Sequence, residues 1–579
     1  MNGRPAALAD KAFDVAIIGG GIFGACAAWD AALRGFSVAL VERGDFCSGT
    51  SANSFKIVHG GIRYLQHGDL VRLRTSCYER TALLRIAPHL VQPLPIVIPT
   101  YGRGRQGKAL LGAGMVLYDL LTLDRTRGIK DAQRKIPWAR FLSRQELLDL
   151  FPGIQTQTLT GGVVFCDGQF YNPARLVLAF LQSAVNAGAV VANYVEATAF
   201  LCHNGIVEGI VGRDALTGES YPIQAKVVLN AAGPWAERIL NKAIGLSLRP
   251  QGSYSRDACF LIPRPFTSSH ALAVQARTRD PDAVLSRAAR HLFIVPWRDY
   301  TLIGVWHVVY KGEPDAVTVS ERDLGSFIDE VNWAYPALDL SLADVSMWNA
   351  GLVPFGENLP GVIDLSYGKR SRLIDHEQEH GLKGLVTLIG IRYTMARSDA
   401  AHAMDLIAKK LGKGGSRPAT DRTTIHGGQI ESFDSFVKQA VMQSNQPVDS
   451  AVMRALIHNH GSEYKQVLKL AEEDPAAAET LENSNVLKAE VVNAVRNEMV
   501  FKLSDVVFRR TDLGAGGNPG DQALRTCADI VAKELGWTAD QAKQELLEVT
   551  AQFPKFQDTR HRSEGEMELA RTMPDSPLT

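Results

Sequence analysis

DVAIIGGGIFGACAAWDAALRGFSVALVE, residues 14–42, reads as an apolar strand, a glycine turn, a helix of small residues and a second apolar strand that ends on an acid. This succession is one βαβ unit and sets the fold as α/β from its first elements. Gly19, Gly21 and Gly24 form GxGxxG between strand and helix. The first glycine permits the tight turn and the second lets the backbone approach a pyrophosphate. The third lets helix and strand pack closely, and the helix N-terminus attracts the negative charge. Glu42, eighteen residues past Gly24, is placed to bind a ribose hydroxyl. Strand, glycines, helix, strand and acid in that order predict a dinucleotide site without saying which dinucleotide.

Outward from this unit, AKVVLNAAG at 225–233 and GLVTLIG at 384–390 each run from an apolar strand through a tight turn into a helical pattern. Between them, residues 250–350 are β-rich, as in RHLFIVPWRDYTLIGVWHVVY, and predict an antiparallel sheet over a pocket. Around 412–433 the composition changes to a Gly/Thr/Ser-rich linker, where a domain boundary belongs. From 434 to 555 the pattern is almost continuously helical, with VVNAVRNEMVFKLSDVVFRRT and DQAKQELLEVTAQF as its clearest pieces, so a separate all-α domain is expected. The polar tail 557–579 is expected to fray.

A chain of 579 residues exceeds one ordinary core and points to several domains. Its 46% apolar and 21% charged residues are the balance of a globular protein. Lys plus Arg and Asp plus Glu both total 62, so no global field favours nucleic acid, and any anion site must be local. The seven cysteines are scattered, with no CxxC pair and no metal-ligand spacing, which suits a reducing compartment. No signal-peptide pattern precedes the glycine motif, and no stretch approaches the ~20 uninterrupted apolar residues of a membrane span. The longest candidate, LLGAGMVLYDLL at 110–121, is broken by Asp119. A cytoplasmic protein is expected.

In RGDFCSGTSANSFKIVHGGIRYLQHGDL, residues 43–70, small hydroxylic residues lead into His59-Gly60-Gly61-Ile62-Arg63-Tyr64. Small residues give backbone donors close access to a cofactor, and paired glycines let His59 and Arg63 project from a compact turn. With these segments the sequence resembles the FAD-dependent glycerol-3-phosphate dehydrogenases of the quinone-linked, aerobic type. GGGIFGA, the SxKxxHGGxRYLxHxD-type segment, NAAGPW at 230–235, GEPDAV at 312–317, HGSE at 460–463 and FRRT at 508–511 occur in that family's order. The resemblance covers about residues 12–555.

The resemblance implies the amine-oxidase-like flavoprotein fold: an FAD-binding Rossmann-like domain, an antiparallel-sheet substrate domain and a C-terminal helical domain. The catalytic region would span 12–425, with FAD-binding parts at about 12–90, 155–240 and 350–412 and substrate-binding parts at about 91–154 and 241–349. The helical domain would span 426–556. FAD would be held by Gly19, Gly21, Ile22, Gly24, Glu42 and Arg43; by Thr50, Ser51, Ser54, Lys56, His59, Gly60 and Gly61; and by Ala232, Gly233, Trp235, Gly390 and Thr394. The flavin would oxidise the secondary alcohol of a polyol phosphate to a ketone and pass electrons to membrane quinone or, in oxidase relatives, to oxygen. His59 would take the hydroxyl proton. Arg63, with Tyr64 beside it, would hold phosphate or the developing alkoxide. Arg392 stands where the family usually carries a lysine on the substrate phosphate. The implied partners are a small polyol phosphate and quinone, with no nucleic acid and with room for a homodimer.

Several substrate-side positions depart from the family pattern. Val353, in AGLVPF, replaces a phosphate-binding arginine. Cys259, in RDACFLIP, replaces a histidine, near an extra GSYS. Gly304-Val305-Trp306-His307 replaces Gly-Thr-Thr-Asp. Cys259, Trp306, His307 and Val353 are therefore taken as pocket residues, and the substrate is expected to be glycerol-3-phosphate or a different polyol phosphate such as a tetritol phosphate. The competing readings are an oxidase of an amine or hydroxy acid and a flavin-binding homologue without catalysis. Finally, 101–130 is basic and amphipathic, with Arg103, Arg105 and Lys108 before an apolar run and Arg125, Arg127 and Lys130 after it. It can lie on the inner face of the cytoplasmic membrane, near quinone, or be an internal helix.

Overall fold

The computed structural model describes residues 6–62, 64, 68–102, 108–245, 254–279, 289–354, 371–414, 418–444 and 448–556. Arg63, Arg103, Arg105, Gly252 and Ser253 of the extra GSYS segment, and the tail 557–579 lie outside the described residues.

Strand Ala12–Ile18 is parallel to Val38–Val41 on one side and to Ser220–Asn230 on the other, with Ile18 opposite both Val41 and Asn230. Val190–Ala192 and Leu385–Ile389 extend the parallel sheet, and Arg372–Asp375 closes one edge in the antiparallel sense. Six of the seven residues of Ala12–Ile18 are buried, because helices cover the sheet and leave no strand face wet. Helix Ile22–Leu33 contacts helices Pro173–Asn186 and Ala396–Lys410. Its Ala25, Ala27, Ala28 and Ala31 keep the approach close, while Trp29 fills the remaining space against Phe180 at 5.4 Å between ring centroids. The glycine turn thus emerges at the carboxyl end of a parallel strand, where open α/β sheets bind ligands.

The second sheet runs in the order 347–354, 254–262, 300–310, 289–297, 271–279, 91–101, 159–170, 57–58, with Arg140–Leu142 pairing beside 159–170. Its pairs are antiparallel except where Ala271–Arg279 meets Val91–Tyr101. This is the antiparallel sheet expected from 250–350, but larger. Ile57–Val58, Leu159–Phe170 and Met347–Pro354 belong to it, whereas the sequence reading placed 57–58, 159–170 and 350–354 in the FAD-binding parts. The physical reason is pairing: Leu159–Phe170 is buried along almost its whole length and looks like a parallel-sheet strand, but its partner is Val91–Tyr101 over eleven positions.

Helices Phe433–Gln443, Ser450–His460, Tyr464–Glu473, Lys488–Asn497, Asp521–Leu535 and Ala539–Thr550 form the C-terminal all-α domain. The long piece at 491–511 is not one helix. It stops at Asn497, turns through Met499 at φ 56°, and restarts at Leu503 with Asp505 accepting the backbone N–H groups of Phe501 and Lys502. The expected linker is a fixed strap over its described part: Ile425 is buried in the first core and its N–H donates to Ile86 O at 3.1 Å.

Candidate functional site

A cavity of about 840 Å³ opens between the two sheets. Its first wall is the glycine turn. Gly19 adopts φ 108°, and a Cβ at Gly24 would lie 1.9 Å from Gly19 O, so both positions exclude a side chain on geometry alone. Gly19, Gly21 and Ile22 line the cavity; Gly24 does not, and serves the helix–strand contact. Glu42 is half-buried at the end of its strand, with Oε2 accepting Gly20 N–H at 2.7 Å and Oε1 accepting Gly44 N–H at 3.0 Å. Burial raises its pKa against those two bonds. Two carboxylate oxygens carry about four acceptor sites, so ribose hydroxyls can still be accepted there.

The second wall is the segment after Glu42. Thr50, Ser51, Ser54, Lys56, His59 and Gly61 line the cavity. Ser51 Oγ accepts Ile22 N–H at 3.0 Å. The Ser54 hydroxyl is buried with no protein partner, an orphaned donor at the cavity wall. Lys56 is buried, and burial lowers its pKa; its Nζ donates to Asn349 Oδ1 at 2.7 Å. Glycine cradle, helix N-terminus, half-buried acid and orphaned hydroxyl together fit a dinucleotide. Gly60 is a correction: it does not line the cavity, because its N–H points back to Asp167 Oδ1 at 2.8 Å and a Cβ would meet Arg80 and Tyr118.

At the cavity mouth Ala232, Gly233 and Trp235 form a third wall. Arg43, Arg238 and the Trp235 Nε1–H converge on the Asp315 carboxylate, which these donors hold at a pKa of about 2, Arg43 first. Asp315 lies in the GEPDAV segment, and nothing in its spacing predicted this cap.

The substrate side collects Tyr64, Arg72 and Arg392. The Arg72 and Arg392 guanidinium carbons lie 4.8 and 4.9 Å from the centroid of the Tyr64 ring. Sequence reasoning missed Arg72, which lies beyond the HGGIRY turn and reaches Tyr64 only because a helix starts at Leu70, capped by Asp69. Gly390 and Thr394 also line the cavity; Thr394 Oγ1 accepts His59 N–H at 3.2 Å, and a Cβ at Gly390 would meet the Phe23 ring. His59 Nδ1 lies 3.7 Å from Asp167 Oδ2, a buried acid paired at 2.8 Å with the fully buried Arg80.

Cys259, His307 and Val353 line the cavity. Trp306 does not: its ring stacks on Phe327 at 5.4 Å in the core behind the sheet. Strand alternation decides this, since Val305 and His307 face the cavity and the residue between them must face away. Burial raises the Cys259 thiol pKa, opposed by Lys56, so it is a small neutral wall residue.

Residues 14–391 match the FAD dependent oxidoreductase family, and residues 418–542 match the C-terminal domain of alpha-glycerophosphate oxidase. The chain is 31% identical over 552 residues to a glycerol-3-phosphate dehydrogenase of Synechocystis, covering 93% of this chain and 95% of the relative. It is 31% identical over 520 residues to an aerobic glycerol-3-phosphate dehydrogenase of Staphylococcus saprophyticus, covering 87% of each. The solved glycerol-3-phosphate dehydrogenase of Bacillus halodurans, complexed with FAD, superposes with a TM-score of 0.74 at 24% identity over 94% of this chain and 95% of that one, a likeness of fold.

Proposed function

The chain belongs to the family of FAD-dependent glycerol-3-phosphate dehydrogenases, and from that premise we propose that it oxidises the secondary alcohol of glycerol-3-phosphate, or of a closely related polyol phosphate, to the ketone. The observation that carries this reading is one cavity that joins the dinucleotide cradle to a cationic cluster of Arg72 and Arg392 around Tyr64. Bound FAD, held by Gly19, Gly21, Glu42, Ser51 and Ser54, supplies the hydride acceptor. Tyr64 and the two guanidinium groups bind the phosphate, whose charge suits planar N–H donor forks. Two cavity imidazoles, His59 and His307, are available to take the hydroxyl proton.

Anaerobic bleaching of the flavin by a substrate panel tests the reading. Glycerol-3-phosphate or a four- to five-carbon polyol phosphate is expected to bleach it, whereas amines and hydroxy acids are not. Arg392→Ala is expected to raise KM for the phosphate substrate by about 10²-fold, as befits loss of a charge-assisted contact of roughly 3 kcal/mol. An unchanged KM would sink the assignment of Arg392. A longer polyol phosphate is the second reading, because Val353 stands on the cavity wall, opposite Ser255, where the family pattern carries a phosphate-binding arginine.

Electron transfer to membrane quinone is proposed on the surface of helix Lys108–Leu121. No described helix is long and apolar enough to cross a membrane. This one instead exposes Val116, Leu117 and Leu120, with Leu123, Trp138, Phe141 and Val71 also exposed. Arg74 ties the end of the helix to helix Leu70–Ile86 through Leu121 O. Exposed Arg127, Lys130 and Lys135 lie nearby in the chain. Such a surface suits the interface of an anionic bilayer. The protein should float with anionic vesicles at low salt, and Leu117→Glu with Leu120→Glu should leave it in the soluble fraction; equal flotation of both proteins would count against the assignment.

A further inference from the structure

Strand Tyr254–Ile262 runs between Tyr300–Tyr310 and Met347–Pro354, with Asp257 opposite His307 on one side and Ser255 opposite Val353 on the other. Asp257, Cys259, Val305, His307 and Val353 line one face of the cavity. The neighbouring Arg256 turns to the far face, where its guanidinium meets Thr318 O and Asp323. On the cavity face, His307 Nδ1 lies 2.7 Å from Asp257 Oδ1, and the same carboxylate accepts the Ser255 hydroxyl.

A carboxylate at hydrogen-bond distance from Nδ1 selects the tautomer with its proton there and its lone pair on Nε2. It also fixes the ring plane and stabilises the imidazolium formed when Nε2 takes a proton. His59 lacks this arrangement. Its Nδ1 is 3.7 Å from Asp167, beyond hydrogen-bond reach. Asp167 is shared among three groups, since Arg80 and the Gly60 N–H each donate to its Oδ1 at 2.8 Å while His59 helps to hold its pKa down from the longer distance. The His59 side chain is also 54% exposed, against 22% for His307, so water screens it more.

We infer that His307, positioned by Asp257, is the residue that accepts the proton of the substrate hydroxyl, and that His59 is not. The inference rests on the reading of the cavity as a polyol-phosphate oxidising site. His307 Nε2 would take the hydroxyl proton as the O–H electron pair closes the carbonyl, with bound FAD supplying the acceptor for the hydride that leaves the carbinol carbon. Asp257 balances the resulting positive charge and keeps its own.

The test compares His307→Gln, Asp257→Asn and His59→Gln in the full chain loaded with FAD. His307→Gln is expected to lower kcat about 10²- to 10³-fold, with KM within a few-fold and FAD content unchanged, and added imidazole should restore part of the rate. Asp257→Asn is expected to lower kcat roughly 10-fold or more through loss of the aligned tautomer. Independently of turnover, ¹⁵N spectra of histidine-labelled protein should show the His307 ring protonated on Nδ1 in the unsubstituted enzyme and shifted toward the other tautomer in Asp257→Asn. Retention of kcat in His307→Gln while His59→Gln loses it would overturn the inference alone. An unsubstituted enzyme whose flavin no polyol phosphate bleaches would overturn the reading beneath it as well.

Discussion

Asp45→Ala is expected to destabilise the folded protein by about 3–5 kcal/mol, the cost of leaving buried charge without its partner, and to separate the C-terminal domain from the flavin domain. Asp45 follows Glu42 closely in sequence, and its carboxylate is fully buried between two arginines of the helical domain, Arg510 at 2.7 Å and Arg509 at 2.5 Å. Asn193 Nδ2 donates to Oδ1 of the same carboxylate at 2.8 Å. Arg509 also reaches Asp505, which takes the Tyr194 hydroxyl at 2.7 Å. Nearby, the buried Arg175 holds Glu498 at 2.6 Å, and Asp512 holds Arg298 at 2.7 Å. The FRRT motif is therefore a clamp on the loop after Glu42, and removing Asp45 leaves the buried Arg510 guanidinium without that carboxylate and Arg509 with Asp505 alone.

Within this cluster Asp45 and Glu498 contribute a pH dependence with a definite sign. Burial would raise the Asp45 pKa, but Arg510 and Arg509 outweigh it and hold the carboxyl down. Glu498 is likewise held at about 2 by Arg175 and His460 against burial. Both folded-state values lie below the unfolded ones of about 3.9 and 4.3. Their contribution is therefore full above about pH 4 and lost as pH falls toward the folded values near 2. Denaturant melts between pH 6 and pH 3 should show the unsubstituted protein losing stability steeply and Asp45→Ala, already lacking one pair, losing less. Parallel curves for the two proteins would remove the clamp from the account.

Gly24→Ala is expected to yield a protein with less than about a tenth of its FAD, or one that does not fold. The added Cβ would sit 1.9 Å from Gly19 O, a backbone atom of the turn itself, so relief requires helix Ile22–Leu33 to move off strand Ala12–Ile18. Overpacking of this kind costs about 1–3 kcal/mol, occasionally more, and the displacement spoils the pyrophosphate cradle as well. Gly325→Ala is the matched control: it lies in helix Glu321–Ala334 with nothing within 4 Å of the new Cβ, and should retain its flavin. Flavin released per mole of protein measures both. Full retention in Gly24→Ala would mean that the turn can yield where its geometry says it cannot.

The glycine turn and Glu42 were legible in the sequence because their signal is local: a tight turn, a helix start and an acid at the next strand end must follow one another along the chain. The all-α domain was legible because helical periodicity repeats within each segment. Cys259, His307 and Val353 were singled out as departures from a family pattern, and strand register places them on the cavity wall. Trp306 was misplaced because a motif does not state which side of a strand faces the pocket; the two-residue alternation does. Leu159–Phe170 lies within the stretch read as an FAD-binding part yet pairs in the second sheet, because an apolar strand does not announce its partner.

The βαβ dinucleotide unit, the helical domain and the family to which both belong are carried by short-range patterns that physical chemistry reads directly from the chain. Which charges meet depends on the folded contacts. Asp257 and His307 are fifty residues apart, Asp167 and Arg80 eighty-seven, Asp45 and Arg510 more than four hundred. A carboxylate acquires its role from the donor that folding brings to it, and no spacing along a chain encodes that distance.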